Sequence, residues 1–154
     1  IGQLGELLQI ALRNGSGLRV TLGDEVDFLQ RYLDLCELRF GSRFQYCISV
    51  PESLRARRVP ALIVQPLIEN AIRHGMQELQ TLHVDIRAYE QNAAIVIEVE
   101  DDGRGIAPGI AESLPSGHGL SNVSERLRLF FGGDAVLQLE RREPRGTRAR
   151  IVCP

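Results

Sequence analysis

The chain has no tryptophan, one methionine and only three cysteines in 154 residues. Cys36, Cys47 and Cys153 are odd in number and scattered, without metal-ligand spacing. This argues against a disulfide framework or zinc centre and for buried thiols in a reducing compartment. No apolar run approaches the ~18–20 residues of a membrane helix, and no signal peptide is visible. Charge of one sign is missing too. The net charge is -2, and Arg55, Arg57 and Arg58 make only a short local cluster, which argues against general binding to nucleic acid or an anionic membrane. There is no GxxxxGK[ST] loop, and no G-x-G-x-x-G placed between a first strand and a helix. Repeats and low-complexity segments are also absent.

What remains is an ordinary globular composition, 44% hydrophobic and 25% charged, long enough for one domain with a real core. The chain opens at Ile1 rather than Met, so it is expected to be a piece of something larger. Residues 1–13 have helical apolar spacing (Leu4, Leu7, Leu8, Ala11, Leu12) and break at Asn14-Gly15-Ser16-Gly17. Asp24 is expected to cap a second helix whose apolar stripe is Val26, Leu29, Leu33, Cys36 and Phe40, stopped by Gly41. Residues 43–50 alternate as a half-buried strand. Pro60 or Pro66 can open the next helix, and Gly75 is its expected stop. Alternating strands follow at Leu82, Val84, Ile86, Ala88 and at Ile95, Ile97, Val99, with a turn near Gln91-Asn92. Leu120, Val123 and Leu127 mark a helix closed by Gly132-Gly133. Strands at 134–140 and 147–153 end the chain. One-sided strands with amphipathic helices to cover them predict an α+β fold. Its form is a two-layer α/β sandwich, a mixed, mostly antiparallel sheet with helices on one face.

Three segments carry chemistry by their order and spacing: Gln65-Pro66-Leu67-Ile68-Glu69-Asn70-Ala71-Ile72-Arg73-His74-Gly75, Asp101-Asp102-Gly103-Arg104-Gly105-Ile106, and Ser116-Gly117-His118-Gly119-Leu120-Ser121-Asn122-Val123. On a helix, Asn70 and His74 share one face. Mg²⁺ keeps several waters and takes phosphate oxygens, so the Asn70 amide oxygen suffices as a protein ligand; the alternative is a solvated helix residue beside a Glu69–Arg73 surface pair. Asp102 at a strand end can accept from an exocyclic amine while glycines let the backbone approach a flat ring; the alternative is a plain Asp-Gly turn. Gly117-His118-Gly119 leading into a helix at Leu120 makes an anion cradle for a triphosphate, or else a flexible linker. Asn122 and Arg126 lie on the polar face of that helix, free to approach phosphate, although Arg126 can equally pair with Glu125 or an outside acid. His118 either touches phosphate or is a spacer. The small, Pro- and Gly-containing run 107–115 suits a mobile flap. Thr147 can reach a base edge, and His83 is expected to face solvent.

These motifs resemble those of the Bergerat-fold ATPases, the group of gyrase, Hsp90, MutL and histidine kinases. Glu69-Asn70-Ala71-Ile72-Arg73-His74-Gly75 resembles their N box, Asp102-Gly103-Arg104-Gly105-Ile106 their G1 box, Gly117-His118-Gly119-Leu120 their G2 box, and Gly146-Thr147 their final glycine-threonine. Leu22-x-x-Glu25, Tyr32-Leu33, Leu38-Arg39-Phe40-Gly41 and Gln65-Pro66-Leu67-Ile68-Glu69-Asn70 narrow the resemblance to LytS-like (AlgZ-type) sensor histidine kinases, over about residues 18–154. The resemblance implies ATP and Mg²⁺ as cofactors, with Asn70 on the metal, Asp102 on the adenine amine, residues 117–120 at the phosphates and Thr147 supporting the adenine end. It implies residues 1–17 as the tail of a dimerisation and phosphoacceptor helix with its linker. The same protein's phosphoacceptor domain and a response regulator would be partners, and the setting a cytoplasmic domain of an inner-membrane sensor. The chain departs from the pattern at Pro66, where relatives carry a second Asn or a catalytic Glu. Glu69 and Gln65 are then the candidates for the water-orienting or base function. None of His74, His83 and His118 has a phosphoacceptor context, so the chain alone is expected not to autophosphorylate. The other readings are a nucleotide switch of the gyrase or chaperone kind and a degenerate interaction module.

Overall fold

The computed structural model of the chain describes residues 19–76, 81–105 and 118–154, with the backbone alone at 118 and 119. In chain order the elements are β1 (Arg19–Thr21), α1 (Leu22–Phe40), β2 (Phe44–Ser49), β3 (Arg58–Pro60), α2 (Gln65–Gly75), β4 (Leu82–Gln91), β5 (Ala94–Asp101), α3 (His118–Phe131), β6 (Val136–Arg141) and β7 (Thr147–Cys153). The main sheet has the order β2-β4-β5-β7-β6. Its β2–β4 pair is parallel and the remaining pairs are antiparallel. The expected α+β sandwich with a mixed, mostly antiparallel sheet is the observed fold.

Local chemistry explains most of the boundaries. Helix α1 starts one turn's grip earlier than expected. Thr21 is its cap, with the Asp24 N–H donating to Thr21 Oγ1 at 3.0 Å and the Thr21 N–H donating to the Asp24 carboxylate at 3.3 Å. Asp24 is thus the reciprocal half of a capping box rather than the cap itself. Gly41, at φ 62°, ends the helix. Gly75 does not act as a left-handed stop, because it remains helical and Met76 follows as the cap. A Cβ on Gly75 would lie 2.4 Å from Leu82 Cδ1, so its role is close packing against β4. The β4–β5 hairpin turns at Asn92 and Ala93, both at positive φ (52° and 65°), the geometry that matches strand twist in a two-residue loop.

The inward residues of the strands carry the core. Leu82, Val84, Ile86, Ile95, Ile97, Val99 and Ile151 join Leu22, Leu29 and Leu33 of α1, Leu67 and Ile68 of α2, and Leu120, Val123 and Leu127 of α3 in one buried cluster. Each such Leu or Ile contributes about 1.5–3 kcal/mol on burial. The helix-free face is not apolar. Glu98 and Glu100, both 5% exposed, lie beneath arginines from neighbouring strands. Arg87 reaches Glu98 at 3.3 Å and Glu100 at 2.9 Å, Arg150 reaches Glu98 at 2.9 Å, and Arg142 reaches Glu100 at 3.4 Å. This lattice lets one sheet face do without a second helical layer.

Two features depart from the expectations. The small β1–β3 ribbon has three-residue strands, too short to carry a periodic signal. Cys36 and Cys153 are buried as expected, but Cys47 is exposed, because it alternates away from Phe44 and Tyr46. The helix expected at 1–13 and the flap expected at 107–115 lie outside the described residues.

Candidate functional site

Strand β5 places the first functional group. Ile95, Ile97 and Val99 face the helices, so the next residue of that parity, Asp101, faces them too. It is 7% exposed. Its carboxylate accepts from the Gly103 N–H at 2.9 Å and from the Thr147 backbone N–H. Burial, helped by the nearby Asp102, pushes the carboxyl above its ordinary range despite those amides and Arg142. A carboxylate so buried wants another donor.

Asp102 points the other way. The His83 N–H donates to its Oδ1 at 2.8 Å, and its own N–H donates to the His83 carbonyl at 3.2 Å. It extends the β4–β5 pairing by one rung and lies off the pocket, which Asp101 lines instead.

Close backbone contacts pack Asp101, Gly105 and Gly146 together at the edge of a pocket. Gly146 has φ 108°, and a Cβ there would sit 2.0 Å from the Asp101 carbonyl oxygen. Gly105 has φ 83°, and its Cβ would sit 2.8 Å from the Gly146 carbonyl. Only glycine allows both the conformation and the approach. Helix α2 forms the wall with Asn70, Ala71, His74 and Gly75, and the pocket is completed by Asp101, Gly103, Arg104, Gly105 and Thr147. Burial, then the charges of Arg104 and Arg73, hold His74 below its ordinary pKa.

Of the residues expected at the site, Asn70, His74, Gly103, Gly105 and Thr147 line this pocket. Ile106 and Gly117 lie outside the described residues, while His118 and Gly119 open α3. The Leu120 side chain is in the core, so only its backbone could serve a cradle. Asn122 is exposed and off the pocket. Glu69 is off it as well, accepting from Gln65 Nε2 at 2.9 Å. Arg126 is off the pocket too. Its half-buried guanidinium donates to the Leu62 carbonyl at 3.1 Å and to the Ala61 carbonyl, because a buried cation needs acceptors. Sequence reasoning missed Ala71, Gly75, Asp101 and Arg104 as lining residues. Strand parity was the available signal for Asp101, and helical spacing from Asn70 for the others on α2.

Among the described residues, no three of His, Cys, Asp and Glu converge as a metal cage. A cation here would take the Asn70 amide oxygen and draw its remaining ligands from a bound anion and water, which suits Mg²⁺. Among the described residues no helix is long and apolar enough to cross a membrane.

Comparison with known proteins shows the family to which the chain belongs. Residues 56–154 match the model of the histidine kinase-, DNA gyrase B- and HSP90-like ATPase family, and residues 1–44 match a histidine kinase model. The sensor histidine kinase BtsS of Escherichia coli K12 is 35% identical over 88% of this chain and 24% of its own length. The sensor histidine kinase YesM of Bacillus subtilis is 31% identical over 100% of this chain and 28% of its own. The chain thus spans about a quarter of the length of these curated relatives. Among solved structures, the catalytic domain of histidine kinase ThkA superposes with a TM-score of 0.70 at 17% identity, covering 89% of this chain and 95% of that one. At that identity the likeness is one of fold.

Proposed function

Because the chain belongs to the histidine kinase-, DNA gyrase B- and HSP90-like ATPase family, we propose that it is the catalytic ATP-binding domain of a LytS-like sensor histidine kinase. In this reading it positions ATP so that a histidine on a separate helical domain attacks the γ-phosphate. A response regulator then receives the group, and the domain works on the cytoplasmic side of an inner-membrane sensor. The observation that carries the reading is the Asp101 carboxylate, buried against two backbone amides and opening onto the pocket that Asn70 and His74 wall.

Each group has one task. Asp101 accepts from the exocyclic amine of adenine, while Gly103, Gly105 and Gly146 let the backbone lie close to the ring. Asn70 holds Mg²⁺, which would neutralise phosphate charge when bound. The start of α3, with its positive dipole end, faces the phosphates. Phosphoryl transfer asks the protein mainly for placement and charge stabilisation, and this set supplies both. The histidines within the chain are not the acceptor: His74 is fixed on the metal helix, His83 pairs with Asp85 at 3.1 Å, and His118 opens the phosphate helix.

Titration calorimetry tests the assignments. ATP should bind at least about tenfold more tightly than GTP, whose carbonyl would face the Asp101 carboxylate where adenine offers an amine. Asn70→Ala should weaken ATP with Mg²⁺ much more than ATP in EDTA. Equal affinities for the two nucleotides, or equal losses with and without Mg²⁺, would contradict the roles given to Asp101 and Asn70.

A further inference from the structure

Helix α2 carries Asn70, and no side chain of its own caps its start. Its cap position is Val64, with no side-chain hydrogen bond, and Pro66 in the first turn donates nothing. The missing partner comes from another helix. Glu25 of α1, 3% exposed, accepts from the Leu62 N–H at 2.8 Å through Oε2 and from the Val64 N–H at 3.0 Å through Oε1. The opposite edge of the same segment is held from α3, where Arg126 donates to the Ala61 and Leu62 carbonyls. Leu62 itself has φ 56°, a left-handed conformation that a leucine keeps only where its surroundings over-determine it. The residues from Ala61 to Val64 are all buried, so water does not replace these partners. Each of the two charges also acts on the other across the loop.

We propose that Glu25 and Arg126 are a positioning pair for Mg·ATP. By gripping the two edges of the 61–64 segment they set the start of α2, and with it the place of the Asn70 amide one and a half turns on. The pair also ties three helices to one point: α1, the metal helix α2, and α3, whose first turn lies at the phosphates. Neither residue touches nucleotide. This rests on the reading of the pocket as a Mg·ATP site.

The test uses this chain with ATP, with Mg²⁺ or EDTA, and thermal unfolding in parallel. Glu25→Gln keeps one acceptor and the side-chain volume; Arg126→Gln keeps polarity and loses the fork. Each variant should lose about tenfold or more in affinity for ATP with Mg²⁺, the scale of losses when a ligand's supporting group is removed. Each should change much less in EDTA, since the Asp101 end of the pocket is untouched. The double variant should lose no more than the worse single one, because both act on one segment. Equal losses with and without Mg²⁺, or additive ones, would overturn the pair's positioning role. Should a variant not fold, amide exchange in the unaltered chain decides: Mg·ATP should slow exchange at Leu62 and Val64 more than ATP in EDTA does, and no difference overturns the proposal. If the unaltered chain binds no nucleotide, the site reading falls and the proposal with it. If it binds and Glu25→Gln binds equally well, the proposal falls alone.

Discussion

The two ends of helix α2 are built on opposite terms. At its start the buried 61–64 segment is held from two sides: Glu25 accepts two amides and Arg126 supplies two donors. In its second half, Asn70 and His74 look into a pocket where Asp101 is buried and accepts from two backbone amides. Both ends hold a buried carboxylate, and burial raises the pKa of each. At the first, two accepted backbone hydrogen bonds tie the carboxylate into the fold. At the second, the protein tolerates a desolvated charge whose natural complement is a ligand, a pattern that marks functional sites.

If that contrast is right, damage to the closed end should show in stability. Glu25→Ala strips partners from two buried amides and leaves Arg126 facing carbonyls without its counter-charge. Breaking such an arrangement costs about 3 kcal/mol, and urea unfolding should show it as a lower midpoint. A loss below about 0.5 kcal/mol would mean that the 61–64 segment holds itself. The smallest effect belongs to His74. Its folded pKa lies below the ordinary 6.5, so between those values the unfolded chain binds a proton that the folded chain does not. Stability should therefore rise with pH across that window and fall as the solution is acidified through it. His74→Gln should flatten this slope, measured as melting temperature between about pH 5 and 7.5. An unchanged slope would place the titration elsewhere.

Much of this was legible in the residues. The strand alternation, the Asn70 helix and the glycines that line the pocket all follow from local rules, since each is a statement about neighbours in sequence. The choice between Asp101 and Asp102 was legible as well. Ile95, Ile97 and Val99 fix the parity that turns Asp101 inward, whereas the D-G-x-G spelling draws the eye to Asp102. Arg126 was not legible. Its helical face is polar, as a phosphate contact would be, and only the meeting of α1, α3 and the 61–64 segment shows where its donors go. The β1–β3 ribbon was hidden for a similar reason, because its three-residue strands exist only through each other.

The comparison between the two ends turns most sharply on Asp101. Its ionised form is disfavoured by burial, so the folded state binds a proton more readily than the unfolded state does, and the charge opposes folding at neutral pH. Asp101→Asn should therefore leave the melting temperature unchanged or higher. It should weaken ATP by about tenfold or more, because the amide presents donors where the adenine amine needs an acceptor. Asp102→Asn, which touches only the rung to His83, is the matched control and should bind ATP within about threefold of the unaltered chain. Calorimetry and thermal unfolding of these two variants together are the direct measurement. Loss of ATP binding in Asp101→Asn without loss of stability is the predicted result, and loss of binding in Asp102→Asn with Asp101→Asn unaffected would contradict it.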